Sequence, residues 1–134
     1  MTAYQRGNYF ERRVADQLRN DGYFVWQTRG SKTVVDMIAL KTGQVGQTLL
    51  VQAKGGLVIA GTEHITGNDW NTLYTLACQV GAVPLIAQRT GRGSIGYRQI
   101  TDRHTPRSHT WPAQSWTPDD AELAAAIARR RGDG

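Results

Sequence analysis

The chain has 134 residues, is 40% apolar and 20% charged, and carries a formal charge of +5. That length suits one domain with its own core; no apolar run approaches the roughly 18 residues of a membrane span, and the opening MTAYQRGNYFERR holds no signal-peptide core. A single cysteine, Cys78, excludes an intrachain disulfide, and three histidines far apart in sequence form no zinc spacing.

Residues 4–21 predict a helix. Phe10, Val14 and Leu18 recur every fourth residue as one apolar stripe, Arg12, Arg13, Asp16, Arg19 and Asn20 fall on wetter faces, and Gly22 stands where a C-cap belongs. Three strand-like runs follow, at 24–28, 34–41 and 48–54, and the polar TGQVGQ link between the last two fits a hairpin. A second helix is expected over about 68–80, capped by Asn68, burying Trp70, Leu73, Leu76, Ala77 and Val80, with Cys78 in the core and Gly81 as its end. Strands at 83–89, with Pro84 at the start, and at 94–100 complete the series. Helix, three strands, helix, two strands is the order of an α/β domain with a mixed sheet, here assigned to residues 1–100.

Residues 101–134 differ. The stretch 101–118 has no period and reads as a loop lying on the body through Trp111 and Trp116. A short helix follows, with Thr117 as N-cap and Pro118 in its first position, packed on or extending the domain. Asp119, Asp120 and Glu122 at its start and Arg129, Arg130 and Arg131 at its end complement the helix dipole, which explains these arginines before any contact with DNA does.

The charge is built from 13 Arg and only three Lys. Residues 1–100 hold 11 basic and six acidic side chains, whereas 101–134 hold five of each. Arginine suits bidentate phosphate contacts, so a basic body rich in it suggests a polyanion partner, nucleic acid first.

One carboxylate, Asp36, interrupts the apolar second strand and is the only acid from Gly22 to Thr62. A lone charge in a buried strand costs several kcal/mol unless it is paired or binds a metal. Either an arginine pair or a loop amide would satisfy it without function. On the third strand Gln52 and Lys54 are two apart and share a face with Leu50, while Leu49, Val51 and Ala53 face the other way. With the hairpin in register, Asp36, Gln52 and Lys54 meet in one cavity. A carboxylate, an amide oxygen and solvent suit Mg²⁺ or Mn²⁺, and an ammonium beside them stabilises charge on a phosphate. Glu11, at the boundary of the first helix's buried face, is placed to reach the same cavity, or else lies exposed on the helix. Ser31 and Lys32 in the GSKT loop bind a phosphate or form a polar turn.

In order and spacing these features resemble the archaeal-type Holliday-junction resolvases of the PD-(D/E)xK nuclease superfamily. The resemblance runs over about residues 5–100: Gly7, Phe10, Glu11 and Arg12 on the first helix, Asp21 to Tyr23 after it, Gly30 and Ser31, Val34 to Asp36, Gln52 to Lys54, and Ala82 to Ala87. It implies a restriction-endonuclease-like mixed sheet flanked by helices and a Mg²⁺-dependent endonuclease, with Mn²⁺ as substitute. Glu11, Asp36 and Gln52 would hold the metal, Lys54 would act on the attacking water, and Ser31 would lie near the scissile phosphate. It also implies a homodimer that cuts four-way DNA junctions by paired nicks, as in phage or plasmid recombination. The expected location is cytoplasmic, in the host if the chain is phage-encoded, with no membrane contact. Two positions depart from the family. Gln52 stands where an acid is usual, and so adds oxygen without charge. The arginine before the Gly-Ser loop is displaced to Arg29, with Gln27 in the simpler alignment. Arg6, Arg12, Arg13, Arg29, Lys32, Arg89 and Arg92 are the residues expected on DNA. The alternatives are a flap, end-processing or restriction-type nuclease of the same fold, or a non-catalytic DNA-binding module.

Other signals carry less. GRGSIG at 91–96 fits a dinucleotide-binding pattern but lies between two strands, so a tight turn is expected. His64 reads as a surface or capping histidine before a proton shuttle, and His104 and His109 carry no argument. Trp26, Trp70 and Tyr74 are assigned to core or dimer contacts before base stacking.

Overall fold

A computed structural model of the chain describes residues 3–28, 33–42, 47–57, 65–91, 93–107 and 111–118. The apolar stripe of the first helix sets one face of the molecule. Helix α1 spans Ala3–Asn20 and buries Phe10, Val14, Ala15 and Leu18. It stops where Gly22 takes φ 98°, a left-handed turn open to glycine at no steric cost. Strands β1 (Phe24–Gln27), β2 (Met37–Leu40) and β3 (Thr48–Leu57) then form an antiparallel meander. Helix α2 (Gly67–Val80) carries the chain over to β4 (Val83–Gly91), which lies parallel to β3. A parallel pair requires such a crossover. Strands β5 (Ser94–Ile100) and β6 (Ala113–Trp116) complete a second antiparallel meander, and the six strands lie in chain order, β1 to β6. No described helix is long and apolar enough to cross a membrane.

Alternation along the strands divides the core in two. Met37, Ala39, Leu49, Val51, Leu85, Ala87, Tyr97 and Trp116 pack with Phe10, Val14 and Leu18 of α1. Leu50, Ile86 and Ile100 face the other way and pack with Trp70, Leu73 and Ala77 of α2. Each face of the mixed sheet therefore has its own helix, as expected of an α/β domain.

Four expectations change. Strand β2 begins at Met37, not Val34, because the chain bends at 33–36. There the carbonyl of Val35 accepts from the hydroxyls of Thr28 and Thr33 and is not available to a longer ladder. The N-cap of α2 is Thr66, whose hydroxyl accepts from the Asp69 amide at 3.1 Å, and not Asn68. Cys78 and Val80 are exposed: the buried residues of α2 are Trp70, Leu73 and Ala77, Cys78 lies about 100° round the helix from Ala77, and Val80 lies past the last buried residue. Residues 101–118 contribute a sixth strand as well as loop.

That sixth strand has physical anchors. Trp116 is buried edge-on against Tyr97, with ring centroids 5.4 Å apart. His104 stacks on Trp111 at 3.8 Å, and Trp111 lies edge-on to Trp70 at 5.1 Å. Asn71 holds His104 by two main-chain bonds of 2.8 Å, and Trp70 donates its indole N–H to the carbonyl of Asp102. A side chain at Gly67 would come within 2.9 Å of the His104 ring, so only glycine fits under this stack at the start of α2. The helix expected after Thr117 lies outside the described residues beyond Pro118.

Candidate active site

The end of β2 nearest Asp36 is fixed from both sides. The Thr28 amide donates to the Asp36 carbonyl at 2.9 Å, and the Asp36 amide donates to the Val51 carbonyl at 2.8 Å. The Asp36 side chain then takes the place of a strand: its Oδ2 accepts the main-chain N–H of Ala53 at 2.8 Å. Main-chain amides of a strand point along the sheet toward the neighbouring strand, so this carboxylate lies in the plane of the sheet, between its two faces. Regular alternation would have pointed Asp36 to one face; the bend gives it access to both.

Charges from both faces act on it. Glu11, half-buried on α1, has its carboxyl raised above the ordinary range by burial first and by the Asp36 charge second. Burial also raises the Asp36 carboxyl, while the Ala53 N–H and the Lys54 ammonium partly offset the rise. Two desolvated carboxylates that repel each other, with one ammonium beside them, form a site short of positive charge.

Gln52 and Lys54 lie on the α2 face of β3, since Leu50 packs against α2 and Leu49 and Val51 pack against α1. Gln52 is buried, and its Oε1 has no hydrogen-bond partner. An orphaned buried acceptor costs about 1–3 kcal/mol. A hard cation satisfies such an oxygen, so the donor set of two carboxylates and one amide oxygen fits Mg²⁺ or Mn²⁺. Among the described residues no three His, Cys, Asp or Glu side chains gather. The register of β3 against β4 shifts between Lys54 and Leu57. Bulges of this kind re-aim side chains beside sites.

The basic residues are dispersed. Arg13 donates to the carbonyl of Gly93 at 2.8 Å and so secures the β4–β5 turn, where the GRGSIG segment is a hairpin as expected. Arg12 is exposed on α1, and Arg89 lies on the α1 face of β4, in line with Leu85 and Ala87. Arg29, Ser31, Lys32, His64, Arg92 and the side chain of Arg6 lie outside the described residues. Trp70 is core and Trp26 is 55% exposed. An open groove lined by Asn68, Asn71, Thr72, Thr75, Gln79 and Arg103 contains none of Glu11, Asp36, Gln52 and Lys54.

One residue was not singled out in the sequence. Gln88 is 4% exposed on β4, directly opposite Lys54 in register, and its Nε2 has no partner. Its signal was available: a polar residue in the apolar run VPLIAQR, in phase with Ile86 on the α2 face.

A mixed sheet with a helix on each face, in which Asp36 interacts electrostatically with Glu11 and Lys54 and Gln52 lies buried on the strand that holds Asp36, has the layout expected of a restriction-endonuclease-like fold. The model of the archaeal Holliday junction resolvase (Hjc) family matches residues 2–131, and the chain belongs to that family. The solved structure of Archaeoglobus fulgidus Hjc, a Holliday junction resolvase from an archaeal hyperthermophile, has the same fold. Its TM-score is 0.58 at 18% identity, over 73% of this chain and 80% of that one. No curated protein matches the chain in sequence.

Proposed function

We propose that this chain resolves four-way DNA junctions by hydrolysing phosphodiester bonds with Mg²⁺, in paired nicks made by the two subunits of a homodimer. The observation that carries the reading is the Asp36 carboxylate, held within reach of the charges of Glu11 and Lys54 by the N–H of Ala53, which is on the same strand as the unpartnered Gln52 oxygen. Glu11, Asp36 and Gln52 would hold the cation. When bound, it polarises the phosphate and lowers the pKa of a bound water. Asp36 is positioned before substrate arrives, because its main chain is tied to β1 and β3 and its side chain to β3. The Lys54 ammonium holds the attacking water by hydrogen bonding and offsets negative charge as it builds on phosphorus. Ser31 is assigned, from its place in the family pattern alone, a role at the scissile phosphate. Arg6, Arg12, Arg29, Lys32, Arg89 and Arg92 supply backbone contacts, and Arg13 instead holds the carbonyl of Gly93. A cytoplasmic location is part of the same proposal.

The homodimer is supported by the sheet edge. Phe24 and Trp26 on β1 are 57% and 55% exposed, opposite half-buried Leu40 and Ile38. An apolar edge strand left in water invites pairing with another chain, and a second copy covers it.

The test is cleavage of an immobile four-way junction against linear duplex and single strand of the same sequence, with Mg²⁺ and with EDTA. Symmetric paired nicks in the junction alone, only with metal, are expected. Equal cutting of linear duplex would make it a nuclease of another substrate class, and junction binding without nicking in Mg²⁺ or Mn²⁺ would make it a binding module.

Gln52→Glu restores a charge to the site and is expected to tighten Mn²⁺ binding about 10-fold or more in calorimetric titration. A loss of affinity would remove Gln52 from the ligand set.

A further inference from the structure

The α2 face of the sheet leaves one acceptor and one donor over. Gln52 Oε1 and Gln88 Nε2 are both buried and both without partners, in residues only 6% and 4% exposed. In the parallel register of β3 and β4, Gln52 stands opposite Ile86 and Lys54 opposite Gln88. Gln88 is therefore one strand across and two positions along from Gln52, on the same face. A strand spacing of about 4.8 Å and a rise of about 6.6 Å over two residues put them roughly 8 Å apart at the backbone, within reach of two long side chains.

The chemistry selects the partner. The ammonium of Lys54, the register neighbour, has only donors, so the Gln88 N–H cannot bond to it. Asp36 Oδ2 is already taken by Ala53. Among the described buried side-chain atoms, the acceptor left without a partner is Gln52 Oε1.

We propose that Gln88 is the positioning residue for Gln52: in the cation-bound protein its N–H donates to Gln52 Oε1 and leaves the second lone pair of that oxygen to the metal. An amide has two ends of nearly equal size, one oxygen and one NH₂, and a metal needs the oxygen. A carboxylate has no such choice to make. A fixed donor on one lone pair holds the oxygen end toward the cation, as outer hydrogen bonds orient metal ligands in general. Gln88 thus complements the replacement of the usual acid by Gln52. The proposal rests on the reading of Gln52 as a ligand.

The test uses the full chain without DNA. Free Mn²⁺ is followed by electron paramagnetic resonance for the wild type, Gln88→Leu, Gln52→Leu and the double variant, with thermal unfolding of each in EDTA. Gln88→Leu is expected to weaken Mn²⁺ binding about 10-fold with no fall in the metal-free Tm, since it removes a buried N–H that has no partner. The double variant should bind no more weakly than Gln52→Leu alone. Gln88→Met, unbranched and unable to donate, should behave like Gln88→Leu and guards against misfolding of the branched residue. Unchanged Mn²⁺ affinity in both Gln88 variants overturns the proposal, as does a Gln88→Leu loss that persists in full in the Gln52→Leu background. A drop in Tm with affinity intact would assign Gln88 to packing. If Gln52→Leu itself leaves Mn²⁺ binding untouched, the ligand reading of Gln52 fails instead, which separates the two claims.

Discussion

Asp36→Asn is expected to abolish junction cleavage, by about a thousandfold or more, and to make the metal-free protein more stable. The substitution keeps an oxygen that accepts the Ala53 N–H at the same place, so the local geometry survives. It removes a desolvated charge that repels Glu11. Burial raises the Asp36 carboxyl above its ordinary value in the folded protein, so folding favours the protonated form. Its contribution to stability is full in acid, below the ordinary carboxylate range, and is lost as pH rises through the raised folded value. In EDTA the variant and the wild type should therefore melt together in acid. The variant should pull ahead as pH approaches neutrality, by about 3–5 °C, equivalent to roughly 1 kcal/mol in a domain of this size. Added Mn²⁺ should raise the Tm of the wild type and leave that of the variant in place. Residual cleavage near the wild-type rate, or a variant that melts lower at neutral pH, would show that the site is not built around this carboxylate.

Lys54→Ala should lower single-turnover cleavage about 10²–10³-fold while junction affinity stays within a few fold. The ammonium is placed beside Asp36, where charge develops, and is one cation among many in a basic chain, so its share of binding is small. Removing it also takes away an influence that holds the Asp36 carboxyl down. The residual activity of the variant should therefore require higher pH than that of the wild type. Rate against pH at saturating protein checks both parts; a loss carried mainly by binding would make Lys54 a phosphate contact and nothing more.

Much of the fold was legible in the chain. The four-residue spacing of Phe10, Val14 and Leu18, with polar Arg12 and Asp16 at the positions a strand would put on the same face, marks a helix stripe, and the alternation around Gln52 and Lys54 places them together on a strand face. These are consequences of backbone periods of 3.6 and 2, which the order of residues carries without help. The sixth strand was not legible, because Ala113–Trp116 has no alternation to show; it exists by pairing with β5 and by placing Trp116 against Tyr97. Cys78 misled for a related reason: apolar sequence neighbours do not decide which side of a helix faces the sheet.

The residue types of the site, one acid in an apolar strand and an amide and a lysine two apart, were determined by the sequence alone, and so was the family pattern they form. Only the tertiary structure decided how they meet. A regular β2 would have turned Asp36 to one face, out of reach of Glu11 on the other. The bend at 33–36 and the Ala53 N–H hold it in the plane of the sheet, open to both helices' sides. Gln88 likewise comes to stand opposite Lys54 only through the β3–β4 register, a parallel pairing across a helix that no local pattern encodes. Contacts of this kind join residues far apart in the chain, and their energy depends on packing and burial, which a linear pattern does not record.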